Sequence, residues 1–421
     1  MDIYEKNGKA IPYEIHKKKI KNTYFRIKDG YLKVTTSSFS KKKLILTYID
    51  LKFDQIYDKL EKTKQEEPIN QIMLWGQTYE LKVSHGRFKF EIDNDEVLVS
   101  STKTDVNIIK KHLGKKDALR KYLKKEITSV FPPTTVAATD TVLSGLPPIS
   151  SGYIGWTQYF KDEDTDLIVF FNSDYYTKKV YPENLRDKYL SFKTIYQQIK
   201  EVCPHVETNE FFPAFREGGS HSFKDQIEKV LITTHNTDSS FNYVYWTEPD
   251  LSEHLYGPYS DEVNKLLNNL NSDFEELIEE ITEDTLVICI ADHGLTEIKE
   301  IPLYDYPDVT DLLIRKPSVE PRATSFFVKD GLLDEFKANF NKHFSKQFKL
   351  YTKQEILESN LFGFGTPHPK VTEFIGDFFS ISISEYMFIF SESKGYIGHH
   401  AGLSEDEMIV PLIMYSKKSA K

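Results

Sequence analysis

The stretch VYWTEPDLSEHLYGP, residues 244–258, contains a short apolar run that is followed at once by polar and charged residues. The apolar run predicts a strand, and the Glu-Pro step predicts its end. Asp250 and His254 then follow four residues apart. A strand that ends in a carboxylate and an imidazole is typical of a metal site, although a turn with a capping residue has the same appearance.

Two further segments carry the same residue types. Asp292 and His293 directly follow the apolar run LVICIA, and a Gly-His-His-Ala-Gly segment occupies residues 398–402. Ligands bind beyond the carboxyl ends of strands in parallel sheets, so we expect these elements to share one rim. Asp/His sets suit zinc, with manganese as an alternative. Each piece alone fits an ordinary loop, but the three together favour a metal site.

A candidate nucleophile lies in FPPTTVAATDTVLSG, residues 131–145. The two prolines followed by small residues predict a helix that begins near Thr135. A hydroxyl at a helix N-terminus faces partial positive charge and free N–H groups, which favour an anion such as phosphate. A metal nearby would lower the pKa of the hydroxyl and make it a nucleophile. The alternative is a threonine that only caps its helix.

Beyond residue 106, strand-like and helical runs alternate, which predicts an α/β domain with a mostly parallel sheet. The predicted elements are a basic helix over 106–127, strands near 166–173, 242–246 and 285–290, and helices near 188–202 and 260–282. Before this domain, residues 1–104 predict a small α+β domain. Its predicted elements are a hairpin over 23–36, an amphipathic helix over 41–64, and strands over 72–83, 87–92 and 95–101.

Composition excludes several classes of protein. The net charge of −10 argues against binding to a nucleic-acid duplex. No apolar run approaches about 18 residues, so we expect no transmembrane helix and no membrane partner. The first residues lack the apolar region of a secretory signal. Cys203 and Cys289 are expected to be buried thiols and not a disulfide, and these features together predict a cytoplasmic protein.

Four segments, in this order, resemble the alkaline phosphatase superfamily, most closely its nucleotide pyrophosphatase/phosphodiesterase-like branch. They are SVFPPTTVAATDTVLSGLPP, YWTEPDLSEHLYGP, ADHG and GHHAGLSEDEMIVPLI. The resemblance covers about residues 106–416. It implies a doubly wound α/β fold, two divalent metals, commonly zinc, and a threonine nucleophile between them.

The resemblance also implies metal ligands. Asp250, His254 and His400 match the ligands of one metal, with His399 as the less favoured register. Asp292 and His293 match ligands of the second metal.

The nucleophile is implied by the same comparison of motifs. Thr135 matches it, counting back from Ser144-Gly145, which stand where the family shows Thr-Gly. Thr134 is the alternative.

The chain departs from the family pattern in three places. The family's first strand ends in an aspartate that binds the second metal, whereas Thr102 stands near that position and Asp105 is displaced by about three residues. Trp156 stands where the family often has an asparagine that contacts phosphate, and Ser151 replaces a common histidine. The second metal site is therefore expected to be weak.

The front segment, about residues 10–100, resembles the N-terminal part of YgjP-like zinc metal-dependent hydrolases, but their HExxH motif occurs nowhere in the chain. We therefore expect a metal-dependent phosphohydrolase or phosphodiesterase whose activity is impaired by the weak second site and that acts on a small phosphorylated substrate or a nucleotide. The alternatives are a pseudoenzyme of the same fold and a metallopeptidase-like function of the front domain. A Ser-His-Asp hydrolase has no GxSxG motif to support it.

Overall fold

The computed structural model describes the N-terminal part of the chain in segments and residues 108–417 without a gap. The segments are 2–6, 9–18, 23–28, 31–57, 60, 71–74, 77–85, 89–93 and 96–101. The chain divides into two compact units, whose largest parts are Met1–Met73 and Leu98–Lys421. The expected boundary between residues 104 and 105 lies outside the described residues and stays a prediction.

The first unit contains a four-stranded sheet. In sheet order its strands are Asp2–Lys6, Lys9–Lys18, Tyr31–Ser37 and Tyr24–Lys28. The last two pair antiparallel around residues 29–30, which confirms the predicted hairpin. The helix Lys42–Leu51 buries Ile45 and Ile49, four residues apart, against the sheet core. Leu44, an apolar residue of the same helix, is 68% exposed because it lies off that face.

A second four-stranded sheet follows. In sheet order its strands are Gln71–Leu74, Gln77–His85, Glu96–Ser101 and Lys89–Asp93. These strands confirm the three that the sequence predicts, with the first divided into two.

The largest sheet of the second unit has seven strands. In sheet order they are Ser173–Asp174, Thr165–Ile168, Thr157–Phe160, Ser318–Val319, Ala323–Phe326, Phe378–Ser382 and Phe348–Thr352. All its pairs are antiparallel. A mostly parallel sheet was expected from the alternation of strands and helices. Short connections, such as that between Ser318–Val319 and Ala323–Phe326, allow only antiparallel pairs, since a parallel pair needs a crossover of a dozen residues or more.

Parallel pairs occur in two smaller sheets. Glu207–Phe211 pairs parallel with Ser240–Val244, and the helix Phe223–Asn236 connects them as a crossover. Lys299–Pro302 pairs parallel with Tyr386–Ile389. This mixture of sheets and helices confirms the α/β class, while the order and direction of the strands could not be read from the sequence.

One predicted helical segment is a strand. Leu123–Thr128, the end of the predicted basic helix, pairs antiparallel with Ile409–Lys417, which in turn pairs with Thr285–Ile290. Leu123 and Ile127 are four residues apart, a spacing that fits one face of a helix and one face of a strand equally well. Pairing with a distant strand decides between them.

Helices flank these sheets. Those of the second unit are Ile108–His112, Ala118–Lys121, Thr135–Ser144, Pro148–Ser151, Leu185–Tyr189, Ile195–Val202, Phe223–Asn236, Asp250–Tyr256, Asp261–Glu280, Pro307–Thr310, Leu333–Phe344, Lys353–Glu358, Val371–Phe374 and Glu405–Met408. In the part of the chain that is described, no helix is long and apolar enough to cross a membrane. Cys203 and Cys289 are free thiols of intermediate exposure.

Candidate active site

The predicted nucleophile loop leads into the helix Thr135–Ser144, which begins where the sequence predicts. Thr134 precedes the helix and has the extended backbone of an N-cap residue, with φ −142° and ψ 148°. Its hydroxyl does not cap the helix and instead lies toward Glu320, donating to Oε1 at 2.6 Å. Oγ1 of Thr135 lies 3.2 Å from Nε2 of His293. Of the two candidate threonines, Thr135 is therefore the one that faces an imidazole.

The start of this helix keeps its backbone donors available. The first N–H group to bond along the helix is that of Ala138, which donates to the carbonyl of Thr134 at 3.0 Å. Among the described residues, no acceptor is found for the N–H groups of Thr135, Val136 or Ala137. Free N–H groups and the helix dipole together favour an anion at this end.

A second short helix, Asp250–Tyr256, carries the first acid-imidazole pair. Residues four apart lie on the same face of a helix, and Oδ1 of Asp250 is 3.4 Å from Nε2 of His254. Nδ1 of His254 lies 2.8 Å from the carbonyl oxygen of Gly398. If Nδ1 donates to that carbonyl, Nε2 carries the lone pair and faces Asp250.

The Gly-His-His segment brings His400 to the same place. Gly398–His399 pairs with the short strand Thr296–Glu297. Nδ1 of His400 lies 3.0 Å from the carbonyl oxygen of Pro133, in the nucleophile loop. His399 differs, because its Nδ1 bonds to the backbone of His400.

Asp292 and His293 follow the strand Thr285–Ile290 in a tight turn. Oδ2 of Asp292 is 3.6 Å from Nε2 of His293, and the rings of His293 and His400 stack with centroids 3.9 Å apart. Gly294 is required here, because a Cβ atom at this position would lie 2.1 Å from the carbonyl oxygen of Asp406. The turn can thus pack directly against the backbone of the short helix Glu405–Met408.

The ligand atoms of Asp250, His254 and His400 all lie within 4.8 Å of one another. We call these three residues the acid-imidazole cluster. Oδ1 of Asp250 is buried and has no hydrogen-bond partner among the described residues. A buried carboxylate oxygen without a partner is costly, and a cation at the cluster would satisfy it. One carboxylate and two imidazoles are also a donor set that zinc accepts, so these residues fit a divalent metal.

Burial changes the charge of these groups. It raises the pKa of Asp250, lowers that of His254, and lowers the pKa of His400 well below its ordinary value. Burial also disfavours the charged form of His293, but the carboxylates of Asp292 and Asp250 outweigh this effect and raise its pKa. The two imidazoles of the cluster are thus held in the neutral form that binds metals.

Two buried acids that sequence reasoning missed support the site. Glu407 makes a bidentate ion pair with the fully buried Arg322, at 2.6 and 2.8 Å, and accepts from the N–H group of Gly402. It therefore fixes the loop that follows His400. Glu320 is 2% exposed, and burial raises its pKa to about 7. The only sequence signal is the charged Glu-Pro-Arg step, which contains Glu320 and Arg322, the partner of Glu407.

The departures from the family pattern have different outcomes. Residues 102–107 lie outside the described residues, so Thr102 and Asp105 cannot be placed. The ring of Trp156 packs against Phe170 and Phe171. The backbone N–H group of Trp156 donates to Glu320. Ser151 is buried and accepts from the N–H group of Tyr153 at 3.3 Å. Tyr153 itself belongs to the core.

Solved structures with the same architecture include two ectonucleotide pyrophosphatase/phosphodiesterases. Murine ENPP5 matches with a TM-score of 0.57 and 16% identity over 80% of this chain and 87% of that chain. Human ENPP5 matches with a TM-score of 0.56 and 15% identity over the same shares. The chain thus has the fold of these two structures.

Comparisons of sequence define the family. The model for type I phosphodiesterase / nucleotide pyrophosphatase matches residues 116–403, more than half of the chain. This chain belongs to that family.

Curated relatives match over shorter segments. Bis(5'-adenosyl)-triphosphatase ENPP4 of Bos taurus is 30% identical over 105 residues, which are 23% of this chain and 23% of the relative. Human ectonucleotide pyrophosphatase/phosphodiesterase family member 1 is 28% identical over 188 residues, 41% of this chain and 20% of the relative. The chain thus matches less than a quarter of the length of either relative.

Proposed function

We propose that this chain is a metal-dependent hydrolase of phosphoric esters, phosphodiesters or nucleotide pyrophosphates, with Thr135 as the nucleophile. One observation carries the proposal. The hydroxyl of Thr135 stands at an open helix N-terminus, 3.2 Å from His293, whose ring stacks on that of His400 in the acid-imidazole cluster. The positive end of the helix suits a phosphoryl group, and the cluster suits a divalent ion.

The comparisons support the substrate class. The relatives are named as nucleotide pyrophosphatases, phosphodiesterases and a bis(5'-adenosyl)-triphosphatase. One solved structure is of a murine ENPP5 variant with a threonine replaced by alanine, described as inactive and in complex with AMP. We therefore favour a nucleotide or another small phosphoric ester as substrate.

In the proposed site, Asp250, His254 and His400 would hold one metal, and Asp292 and His293 would hold the second. Zinc fits these donors best, with manganese as an alternative. A bound divalent ion supplies charge stabilisation at phosphoryl oxygens and lowers the pKa of a hydroxyl that it contacts.

The residues of this chain perform the rest of the reaction. The N–H groups of Thr135, Val136 and Ala137 orient a non-bridging phosphoryl oxygen. Oγ1 of Thr135 forms a bond to phosphorus while the bond from phosphorus to the leaving oxygen breaks, and the proton of the hydroxyl leaves on the released alcohol or nucleotide. Water then attacks the same phosphorus, releases the phosphate product and regenerates the threonine hydroxyl.

The second metal site is the weak part of this proposal. In residues 108–417 and the shorter described segments, no third His, Cys, Asp or Glu completes a cluster with Asp292 and His293. We therefore propose tight binding of one metal, weak binding of the second, and low turnover. The same observation favours the second candidate function, a pseudoenzyme that binds a phosphorylated ligand without hydrolysing it.

Thr135→Ala tests the proposal. It should lower the hydrolysis of an activated aryl phosphodiester by about 10³-fold or more, because the attacking oxygen is gone. Thr141→Ala is the matched control. Thr141 lies in the same helix and its buried hydroxyl has no partner, so its removal should leave the rate unchanged. Full activity of Thr135→Ala would refute the assignment, and an inactive parent chain would favour the pseudoenzyme.

A further inference from the structure

Glu320 stands at the start of the nucleophile helix without belonging to the acid-imidazole cluster. A single oxygen, Oε1, accepts from the hydroxyl of Thr134 at 2.6 Å and from the backbone N–H group of Trp156 at 2.7 Å. The side chain is buried at 2% exposure. One carboxylate thus ties the residue before the proposed nucleophile to the segment between the helix Pro148–Ser151 and the strand Thr157–Phe160.

The backbone that carries Glu320 is unusual. Val319 has φ +80°, a conformation that β-branched residues rarely adopt and that must be held by surrounding structure. Oγ1 of Thr157 accepts from the N–H group of Val319 at 3.1 Å. Gly155 provides the space, because a Cβ atom there would lie 2.5 Å from Cγ1 of Val319. Such strain is found mainly where it positions a side chain, and here the next side chain is Glu320.

The bond to Glu320 changes what Thr134 does. Threonine in an N-cap position normally accepts a hydrogen bond from an N–H group of its own helix. Thr134 has the N-cap backbone but makes no such bond, and its hydroxyl lies toward Glu320, to which it donates. The N–H groups at the start of the helix therefore remain free for a ligand.

We propose that Glu320 is a positioning residue that holds the Thr134 hydroxyl away from its own helix and so keeps the phosphoryl-binding end of the nucleophile helix open. This inference rests on the proposed function, since it assumes that a phosphoryl group binds at this helix end. Without the acceptor at Glu320, the Thr134 hydroxyl turns inward, caps the helix and competes with the phosphoryl oxygens. Glu320 acts through Thr134 and does not touch the substrate.

Binding of inorganic phosphate to the metal-loaded full chain, measured by calorimetry, tests the proposal without requiring turnover. Glu320→Ala should weaken phosphate binding about five-fold, the effect on an equilibrium constant of one capping hydroxyl. Glu320→Gln keeps an acceptor oxygen and should stay within about two-fold of the parent. If Glu320→Ala does not fold, Glu320→Met replaces it, since methionine keeps the side-chain length but lacks a strong acceptor.

The decisive variant combines Glu320→Ala with Thr134→Val. Removing the hydroxyl that would cap the helix should restore phosphate affinity to that of Thr134→Val alone. Across the same variants, KM for the aryl phosphodiester should change in the same order as phosphate affinity, and kcat should change less. Equal phosphate binding by Glu320→Ala and the parent, or additive losses in the double variant, would overturn the role. If the variants bind phosphate as predicted but the parent chain does not hydrolyse the phosphodiester, the proposed catalysis is refuted and the role of Glu320 is supported. A parent chain that does not bind phosphate would overturn both.

Discussion

The two halves of the candidate site are built differently. The acid-imidazole cluster takes Asp250 and His254 from one helix and His400 from a distant loop, and a backbone carbonyl lies at Nδ1 of each imidazole. Asp292 and His293 come from a single turn. A site assembled from separate segments, each fixed by its own hydrogen bonds, is ready to bind a metal once the chain folds. A pair supplied by one turn needs another segment to complete it.

The largest expected effect is on metal affinity, and it distinguishes His400 from His399. His400→Ala should weaken binding of the tightest metal by about 100-fold or more, because loss even of an outer-shell partner costs about 10–100-fold. His399→Ala is the matched comparison, because the two histidines are adjacent in the chain and both residues are 7% exposed. The ring of His399 bonds to the backbone of His400 and is not a proposed metal ligand, so His399→Ala should reduce metal affinity much less than His400→Ala. Metal titration of the purified variants measures both, and a greater loss for His399→Ala would reverse the assignment.

The next effect concerns the incomplete half. The unmodified chain should bind a second metal at least about 10-fold more weakly than the first, since one anionic ligand is missing. Asp292→Asn should remove this second equivalent and spare most of the first. Thr102→Asp, at the position where the family has an aspartate, should tighten binding of the second metal. This expectation rests on sequence order, because residue 102 lies outside the described residues. Two equally tight metals in the unmodified chain, together with fast phosphodiester hydrolysis, would show that the second site is complete.

The smallest effect is on stability. Burial raises the pKa of Asp250, so its ionised form destabilises the metal-free fold. The penalty appears as pH rises through the ordinary aspartate pKa of about 3.9 and is complete above the folded value. Asp250→Asn should therefore raise the Tm of the metal-free chain at neutral pH, by about 2 °C, and the difference should shrink as pH falls toward about 4.

The same variant separates a binding role from a structural one. Zinc should raise the Tm of the parent chain and have little effect on that of Asp250→Asn, as thermal scans with and without the ion would show. A variant that is less stable than the parent without metal would indicate that Asp250 serves the fold and not a ligand.

Local chemistry explains what the sequence could predict. Prolines followed by small residues placed the helix start at Thr135, and apolar runs placed Asp292 at a strand end. The structure brings these residues together with Asp250 and His400 as the ordered motifs implied. Whether they bind metals stays a prediction.

What the sequence could not show depends on distant partners. Glu320 meets Thr134 across 186 residues, and Arg322 meets Glu407 across 85. Neither contact leaves a local pattern, and neither do the antiparallel pairs of the large sheet. The strand Leu123–Thr128 was assigned to a helix for the same reason, because its partner lies near the end of the described chain.

The central claim is that the acid-imidazole cluster holds a metal and that the Asp292–His293 pair holds a second one less well. Crystals of the zinc-loaded chain, measured at the zinc absorption edge, test it most directly. We predict a strong anomalous peak about 2.0–2.2 Å from the ligand atoms of Asp250, His254 and His400, and a weaker peak beside Asp292 and His293. Two peaks of equal occupancy would contradict the inequality, and no peak at the cluster would contradict the metal site itself.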